Sequence, residues 1–270
     1  MRRPKLSQIT APEVKGYLDE WLATLSRPMA TRVLRSFKAI LTEAQAAGLV
    51  AQNVALAVNP RKAKRDKTKA TPPPKKALRA ILSAAEKEGD LKAWAALEVA
   101  IFTGLRASEI RGLSWRSVDL NGARLTVEQR ADAKAKIGPP KSEAGHRTIA
   151  LPARVVRALR CWMIACRPGP LNLVFPNTLG KPVSHRVLMA NHIEPILTKA
   201  KAGKIGLHAF RHAAASLWIE QGLNPKRVQK LMGHSSIQMT FDTYGHLFDL
   251  AEKDADDAAA IERALFAEAT

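Results

Sequence analysis

The chain has 270 residues, and 46% of them are hydrophobic; that is enough to bury a core and to form two ordinary domains of roughly 100–200 residues each. Its 43 Lys and Arg against 24 Asp and Glu leave a net charge of +19, an excess that usually answers a polyanion, either nucleic acid or an anionic membrane surface. A membrane-spanning protein is excluded because no apolar run approaches roughly 18–20 residues, a secretory signal because MRRPKLSQIT has no apolar stretch behind its basic residues, and a disulfide framework because only Cys161 and Cys166 are present, in CWMIAC rather than at CxxC spacing.

In chain order, Thr10-Ala11-Pro12-Glu13 reads as a capping box that opens a first helix, with Val14, Tyr17, Leu18, Trp21, Leu22 and Leu25 as its apolar stripe. A second helix is predicted from Pro28 to Ala47, with Val33, Leu34, Phe37, Ile40, Leu41 and Ala44 as its stripe and Gly48 as its cap. Arg27, Arg32, Arg35 and Lys38 lie off that stripe and are candidates for DNA contact. Residues 1–70 hold 14 Lys and Arg against 5 Asp and Glu, and NPRKAKRDKTKATPPPKK at 59–76 reads as an extended, cationic interdomain linker. Beyond it, helices are predicted at Lys75–Glu88 and Leu91–Phe102, alternating strand patterns at Arg124–Arg130 and His146–Leu151, and mostly helix from Ala153 onward. The stretch from Gly245 to Thr270 turns acidic, with 7 Asp and Glu against 2 Lys and Arg. The fold class expected is mainly α with a small antiparallel β-sheet (α+β).

The common nucleotide-binding motifs are absent, as are paired carboxylates suited to two-metal phosphoryl chemistry. His208 and His212 in HAFRH stand four apart but lack the Glu of a zinc-protease helix. The reading therefore expects no metal and no cofactor. What remains is a set of cations with a late tyrosine: Arg106 in TGLRASEIRGLSW, Lys141 in the turn-rich connection between the strands, His208 and Arg211 in LHAFRH, His234 in LMGHSS and Tyr244 in TFDTYGH. His185, His192, His212 and His246 are left as structural or DNA-facing.

Taken in this order and spacing, these motifs resemble the tyrosine recombinase (phage integrase) family. TGLRASEIRGLSW is similar to that family's first arginine motif, PPKSEAGHRTIALP to its hairpin lysine and following strand, LHAFRH to its His-x-x-Arg pair, LMGHSS to its second histidine and TFDTYGH to its nucleophile. The resemblance implies that Tyr244 attacks a DNA phosphodiester to give a 3′-phosphotyrosine. Arg106 and Arg211 then hold the nonbridging oxygens, His208 and His234 donate hydrogen bonds or move protons, and Lys141 protonates the departing 5′-oxygen. Glu109, three residues after Arg106, is expected to orient its guanidinium.

The same resemblance implies a core-binding domain at 1–58, the linker at 59–76 and a catalytic domain at 77–270 with a C-terminal tail helix. Ala255, Ala258, Ala259, Ile261, Leu265 and Phe266 give that tail its apolar face, which in this family packs on a neighbouring protomer. The partners implied are double-stranded DNA attachment sites and three further copies of the chain, a homotetramer on two duplexes. The compartment implied is the cytoplasm of a prokaryote, in a phage or mobile-element context. Two departures from the pattern are Asn53-Val54, where the family often has Asn-Pro, and the lack of the core-binding domain's opening helix, read as a compact or shortened integrase. Two other outcomes stay open at this point: type IB-like DNA relaxation with the same active site, and a nonenzymatic DNA-binding relative.

Overall fold

A computed structural model describes residues 5–61, 72–167 and 169–249. The part of the acidic stretch after Asp249, which carries the apolar face expected of a tail helix, lies outside the described residues. The chain divides into two compact units, 1–68 and 69–270.

The first unit is a helical pair, α1 (Ala11–Thr24) and α2 (Arg27–Ala46). The capping box forms as its sequence requires: the Thr10 amide donates to Glu13 Oε2 at 2.8 Å, and Thr10 Oγ1 accepts from the Glu13 amide at 3.5 Å. Val14, Leu18, Leu34, Leu41 and Ala55 make a small core with Trp21 and Phe37 packed against it. Tyr17 and Ile40, both assigned to apolar stripes from periodicity, are 38% and 55% exposed. They sit at the margins of faces that a two-helix unit covers only along the centre. The buried Asn53 carboxamide donates to Lys38 O at 2.9 Å and to Thr42 Oγ1 at 2.8 Å, fastening the chain after α2 back onto that helix.

The second unit is built around α4 (Leu91–Thr103), ten of whose thirteen residues are buried. Apolar side chains on all sides make it a central helix, and α3 (Lys75–Lys87), α6 (Ala153–Ala165) and α9 (Leu207–Glu220) surround it. Between α4 and α6 come the short α5 (Ala107–Gly112) and five strands: β1 (Val118–Asp119), β2 (Arg124–Val127), β3 (Arg130–Ala131), β4 (Ile137–Gly138) and β5 (Arg147–Ala150). β1, β2 and β5 form one antiparallel sheet, in which Leu125 faces Ile149 and Val127 faces Arg147; β3 and β4 form a separate hairpin.

From Ala153 the chain is mostly helical, as expected, with one irregular stretch between α6 and the later helices. Residues 169–184, which include Pro170, Pro176 and Pro182, run irregularly through the core with Val174, Phe175 and Val183 fully buried. Side chains satisfy carbonyls there: Trp162 Nε1 donates to Val174 O at 2.6 Å and Arg111 Nε to Val183 O at 2.6 Å. Helix returns as α7 (His185–Val187), a π-helical stretch (Leu188–Ile193) and α8 (Glu194–Lys199), followed by α9, α10 (Pro225–Met232) and α11 (Ile237–Asp249).

Two glycines end helices in the left-handed region at close approaches. Gly104 (φ 60°) follows α4, and a Cβ there would lie 3.0 Å from the Trp218 ring. Gly233 (φ 62°) follows α10, and its Cβ would lie 2.8 Å from Arg147 Nη1 and 2.9 Å from Ala144 O. Alanine at either position is expected to destabilise the second unit by more than about 1 kcal/mol, seen as a lower urea midpoint at unchanged slope. Gly16, inside α1 with open space around its Cα, should instead gain roughly 0.5–1 kcal/mol on replacement by alanine; a loss there would contradict this account of α1.

Candidate active site

The second unit brings four segments together: the turn from Gly104 into α5, strand β5, the first turns of α9 and the junction of α10 with α11. The charge centre is Glu109, 2% exposed on α5. Its Oε1 accepts from Arg106 Nη1 at 2.9 Å and from Arg147 Nη1 at 3.2 Å. Its Oε2 accepts from the Arg106 amide and from Arg147 Nη2, both at 2.8 Å. Burial alone would raise the Glu109 carboxyl, but the hydrogen bonds and charge of Arg147, with those of Arg106, outweigh it and hold the pKa below the usual range. The group is a carboxylate shared by two guanidinium ions.

Arg106 also donates through Nη2 to Gly233 O at 2.8 Å, and its side chain remains 31% exposed, open to a ligand. Arg211 is 2% exposed; its two terminal nitrogens donate to Gly104 O and to Met232 O. Both guanidinium groups are therefore seated on the turn after α10, and that of Arg211 also on the turn after α4, from which Arg106 itself projects. Burial first and Arg106 second lower the Arg211 pKa to about 9, which still leaves it charged at neutral pH.

The histidines and the tyrosine form the uncharged side of the site. His234 is buried, and its Nδ1 lies 3.0 Å from Thr240 Oγ1, leaving Nε2 for a ligand. Tyr244, on α11, is 2% exposed among Ala215, Ile219, Val228 and Met232, with its ring stacked 6.4 Å from that of His234. Its hydroxyl lies 2.7 Å from His212 Nδ1, and the rings of His212 and His208 meet edge to face at 4.4 Å. Burial pushes the Tyr244 phenol up to about 12, partly offset by Arg211. Burial, His208 and Arg211 push His212 down to about 4; burial followed by Arg211, Arg106, Arg147 and His212 does the same to His234. A phenol that keeps its proton thus faces an imidazole that lacks one, so the hydroxyl is the donor. His208 is exposed at the first turn of α9, its pKa lowered by burial, Arg211 and Arg106.

Of the residues picked out in the sequence, Arg106, Glu109, Arg211, His208, His234 and Tyr244 thus gather in one place. Lys141 is exposed between β4 and β5 and makes no hydrogen bond or ion pair among the described residues, but its segment adjoins the site: Gly145 O accepts from Arg147 Nη1 at 3.0 Å. The four candidates for DNA contact lie in the first unit. Arg27, Arg32 and Arg35 line one cleft with Pro28 and Thr31, and Arg27 Nη2 also donates to Arg61 O. Lys38 Nζ donates to Leu56 O at 3.0 Å and to Asn59 Oδ1 at 3.1 Å, tying down the chain after α2.

Sequence reasoning passed over two residues. His212 was assigned to structural or DNA-facing roles, yet it is the hydrogen-bond partner of the tyrosine hydroxyl; its place four residues after His208, on the same helix face, was the available signal. Arg147 has nothing but its position to mark it among 43 Lys and Arg. The alternation of Arg147-Thr148-Ile149-Ala150, with Ile149 inward, sets Arg147 inward too, and that could have exposed it. Among the described residues, no three His, Cys, Asp or Glu side chains are grouped as a metal ion would need, and no helix is long and apolar enough to cross a membrane.

An arginine pair on two helix ends, with histidines and a late tyrosine beside it, is the arrangement of a tyrosine recombinase catalytic domain. Residues 74–250 match the phage integrase family, and the chain belongs to that family. It is similar to the ICEBs1 integrase of Bacillus subtilis (26% identical over 175 residues, covering 59% of this chain and 46% of that protein). It is also similar to tyrosine recombinase XerC of Xylella fastidiosa (31% identical over 153 residues, covering 57% of this chain and 48% of that protein). The chain thus spans about half the length of these curated relatives. The fold is that of the Tn1549 transposon integrase solved with circular-intermediate DNA (TM-score 0.76, 21% identity, covering 96% of this chain and 86% of that one). It also matches a lambda integrase tetramer solved on a Holliday junction (TM-score 0.64, 19% identity, covering 87% and 67%).

Two titrations check the geometry. An imidazole whose pKa falls on folding contributes stability that is complete above its ordinary value of 6.5 and is lost as pH drops through about 4. The urea midpoint of the second unit should therefore fall between pH 7 and pH 4.5, and fall less in His212→Gln/His234→Gln. At the alkaline end, the chain has only Tyr17 and Tyr244; absorbance near 295 nm should show a phenol ionising near pH 12 that is missing in Tyr244→Phe. An unchanged alkaline curve in that variant would contradict the burial of Tyr244.

Proposed function

We propose that this chain carries out site-specific DNA recombination, cutting and rejoining strands at double-stranded attachment sites through a 3′-phosphotyrosine on Tyr244. The observation that carries this reading is the shared seat of Arg106 and Arg211 on the carbonyls of Gly104, Met232 and Gly233, with Tyr244 on the helix that follows. Charge gathers on the nonbridging oxygens as the tyrosine attacks, and two fixed guanidinium forks in a partly dry site stabilise it without reorganising. His234 adds a donor through Nε2, and exposed His208 another. His212, within hydrogen-bond reach of the phenol, receives its proton as the oxygen–phosphorus bond forms. Lys141 supplies the proton that the departing 5′-oxygen needs.

The phosphotyrosine keeps the energy of the broken bond, so attack by a 5′-hydroxyl from a partner strand reseals DNA without ATP. Integrase and recombinase relatives favour that exchange over plain relaxation or mere binding. The working assembly is four copies of this chain on two duplexes, a reading supported by the fold it shares with the lambda integrase tetramer. The cations of α2 hold DNA through phosphates, the units correspond to a core-binding and a catalytic domain, and the setting is the cytoplasm of a prokaryote that hosts a mobile element.

A nicked duplex carrying a cognate attachment site, incubated with the protein in EDTA and run under denaturing conditions, tests the reading. A covalent protein–DNA band is expected from the wild type and none from Tyr244→Phe; equal bands in both would remove Tyr244 as nucleophile. Arg211→Ala should lose about 10²–10³-fold in cleavage rate. Lys141→Ala should be slow on ordinary DNA but recover when sulfur replaces the 5′-bridging oxygen, since a thiolate leaves without a proton; failure to recover would remove Lys141 as the acid. Duplex affinity should fall with salt by about 0.9 in log K per log salt for each phosphate contacted.

A further inference from the structure

An arginine on the core face of a strand is an anomaly that a fold tolerates only when its charge is paired and hydrogen-bonded. Arg147 stands on β5 opposite Val127, flanked by the buried Leu125 and Ile149, with 1% of its side chain exposed. All three of its nitrogens are engaged: Nη1 and Nη2 hold both oxygens of Glu109, Nη1 also reaches Gly145 O at 3.0 Å, and Nε donates to Leu231 O at 2.7 Å. Gly233 supplies an independent sign that the backbone is shaped around this group, because any side chain there would run into Arg147 Nη1 at 2.8 Å.

We propose that Arg147 is a positioning residue for strand cleavage. It neutralises Glu109 so that Arg106 meets the scissile phosphate as an uncompensated cation, and it clamps the segments bearing Lys141 and His234 around that cation. This rests on the reading that Arg106 binds the phosphate. Arg106 alone with Glu109 would be a neutral pair, in which the carboxylate competes with the phosphate for the same donors. With Arg147 present the three groups carry one net positive charge, and two of the four hydrogen bonds to Glu109 come from the buried Arg147. The clamp is geometric as well. Gly145 follows Lys141 by four residues and Leu231 precedes His234 by three, so one guanidinium fixes the spacing between the acid's segment and the histidine's.

The test compares Arg147→Met, Arg147→Lys, Glu109→Gln and the double variant Arg147→Met/Glu109→Gln. Two quantities are read for each: the single-turnover rate of covalent adduct on the nicked duplex, and duplex affinity in a Tyr244→Phe background. Arg147→Met is expected to cleave more slowly by about tenfold or more, with affinity changed by less than about threefold because many phosphates share the binding. The double variant should regain at least part of that rate, since removing the stranded carboxylate restores the net charge. Arg147→Lys should fall between wild type and Arg147→Met. A residue that merely holds the fold together predicts the opposite for the double variant, a further loss.

A readout without DNA separates this inference from the cleavage reading: the rate at which phenylglyoxal modifies Arg106, mapped by mass spectrometry. Arg106 should react more slowly in Arg147→Met, where Glu109 is free to hold it alone, and at its former rate in the double variant. Wild-type protein that forms no adduct while the labelling follows this order would overturn the cleavage reading and leave the positioning role intact. Unchanged labelling in Arg147→Met, or a double variant that cleaves no faster than Arg147→Met, would overturn the role of Arg147. Should Arg147→Met fail to fold, Arg147→Lys and the double variant decide: slowed labelling and cleavage in Arg147→Lys, with labelling restored in the double, would support the role, and a cleavage defect in the double as deep as that of Glu109→Gln or deeper would overturn it.

Discussion

A single carboxylate governs the geometry of this site. Glu109 lies out of water on the short helix after Gly104, and two guanidinium groups keep it ionised there. Removing one partner of such a buried pair costs about 3–5 kcal/mol, mostly for the charge left behind, so the three side chains stand or fall together. Their backbone attachments lie on α5, on the end of α10 and beside β5, which makes the electrostatic knot a mechanical one. The strand β5, the short helix α5 and the end of α10 keep their mutual distances near the site because an ion pair and its carbonyl contacts span them.

The opposite side of the site works by exclusion of charge. His212, His234 and Tyr244 are all held neutral by burial, with the cations on Arg211 and Arg106 reinforcing the effect on the imidazoles. Positive charge on one wall and uncharged proton carriers on the other is a division of labour that one environment produces. The buried Arg211 guanidinium helps burial to keep the nearby imidazoles from protonating. The same field leaves the histidines able to accept a proton when one is released.

Much of this was legible in the sequence, and the limits are physical. The helix starts and stops were readable where the signal is local, as with Thr10 and Glu13 or the glycines after α4 and α10. The alternation at Arg124–Arg130 and His146–Leu151 marked the two paired strands, which at Arg124–Val127 and Arg147–Ala150 are shorter than the pattern. Arg106, Arg211, His234 and Tyr244 stood out because they sit in ordered motifs. Lys141 stood out likewise, although the fold leaves it in the loop beside the site rather than bonded into it. Arg147 was hidden by the abundance of cations, since only its phase on a strand, not its identity, marks it as inward. His212 was hidden because a neighbour one turn away already had a role. The irregular segment at 169–184 and the π-helical turn at Leu188–Ile193 depend on contacts with distant residues, which local pattern does not carry. Exposure of Tyr17 and Ile40 follows from how little surface a two-helix unit can cover, again a property of the assembled fold.

On the recombinase reading proposed above, the burial of the Tyr244 hydroxyl bears on how the protein discriminates among DNA sequences. A phenol seated against His212 and packed by Ala215, Ile219, Val228 and Met232 meets a phosphate only after that seat opens. The work of opening is drawn from the contacts DNA makes elsewhere, so it is subtracted from affinity and returned as reactivity. Two duplexes that differ by a few contacts can then bind almost equally well and still differ widely in how often the tyrosine is released. Selectivity of this kind is kinetic. It would be underestimated by any equilibrium binding survey and would be read correctly only from the rates at which the bound duplexes are cut.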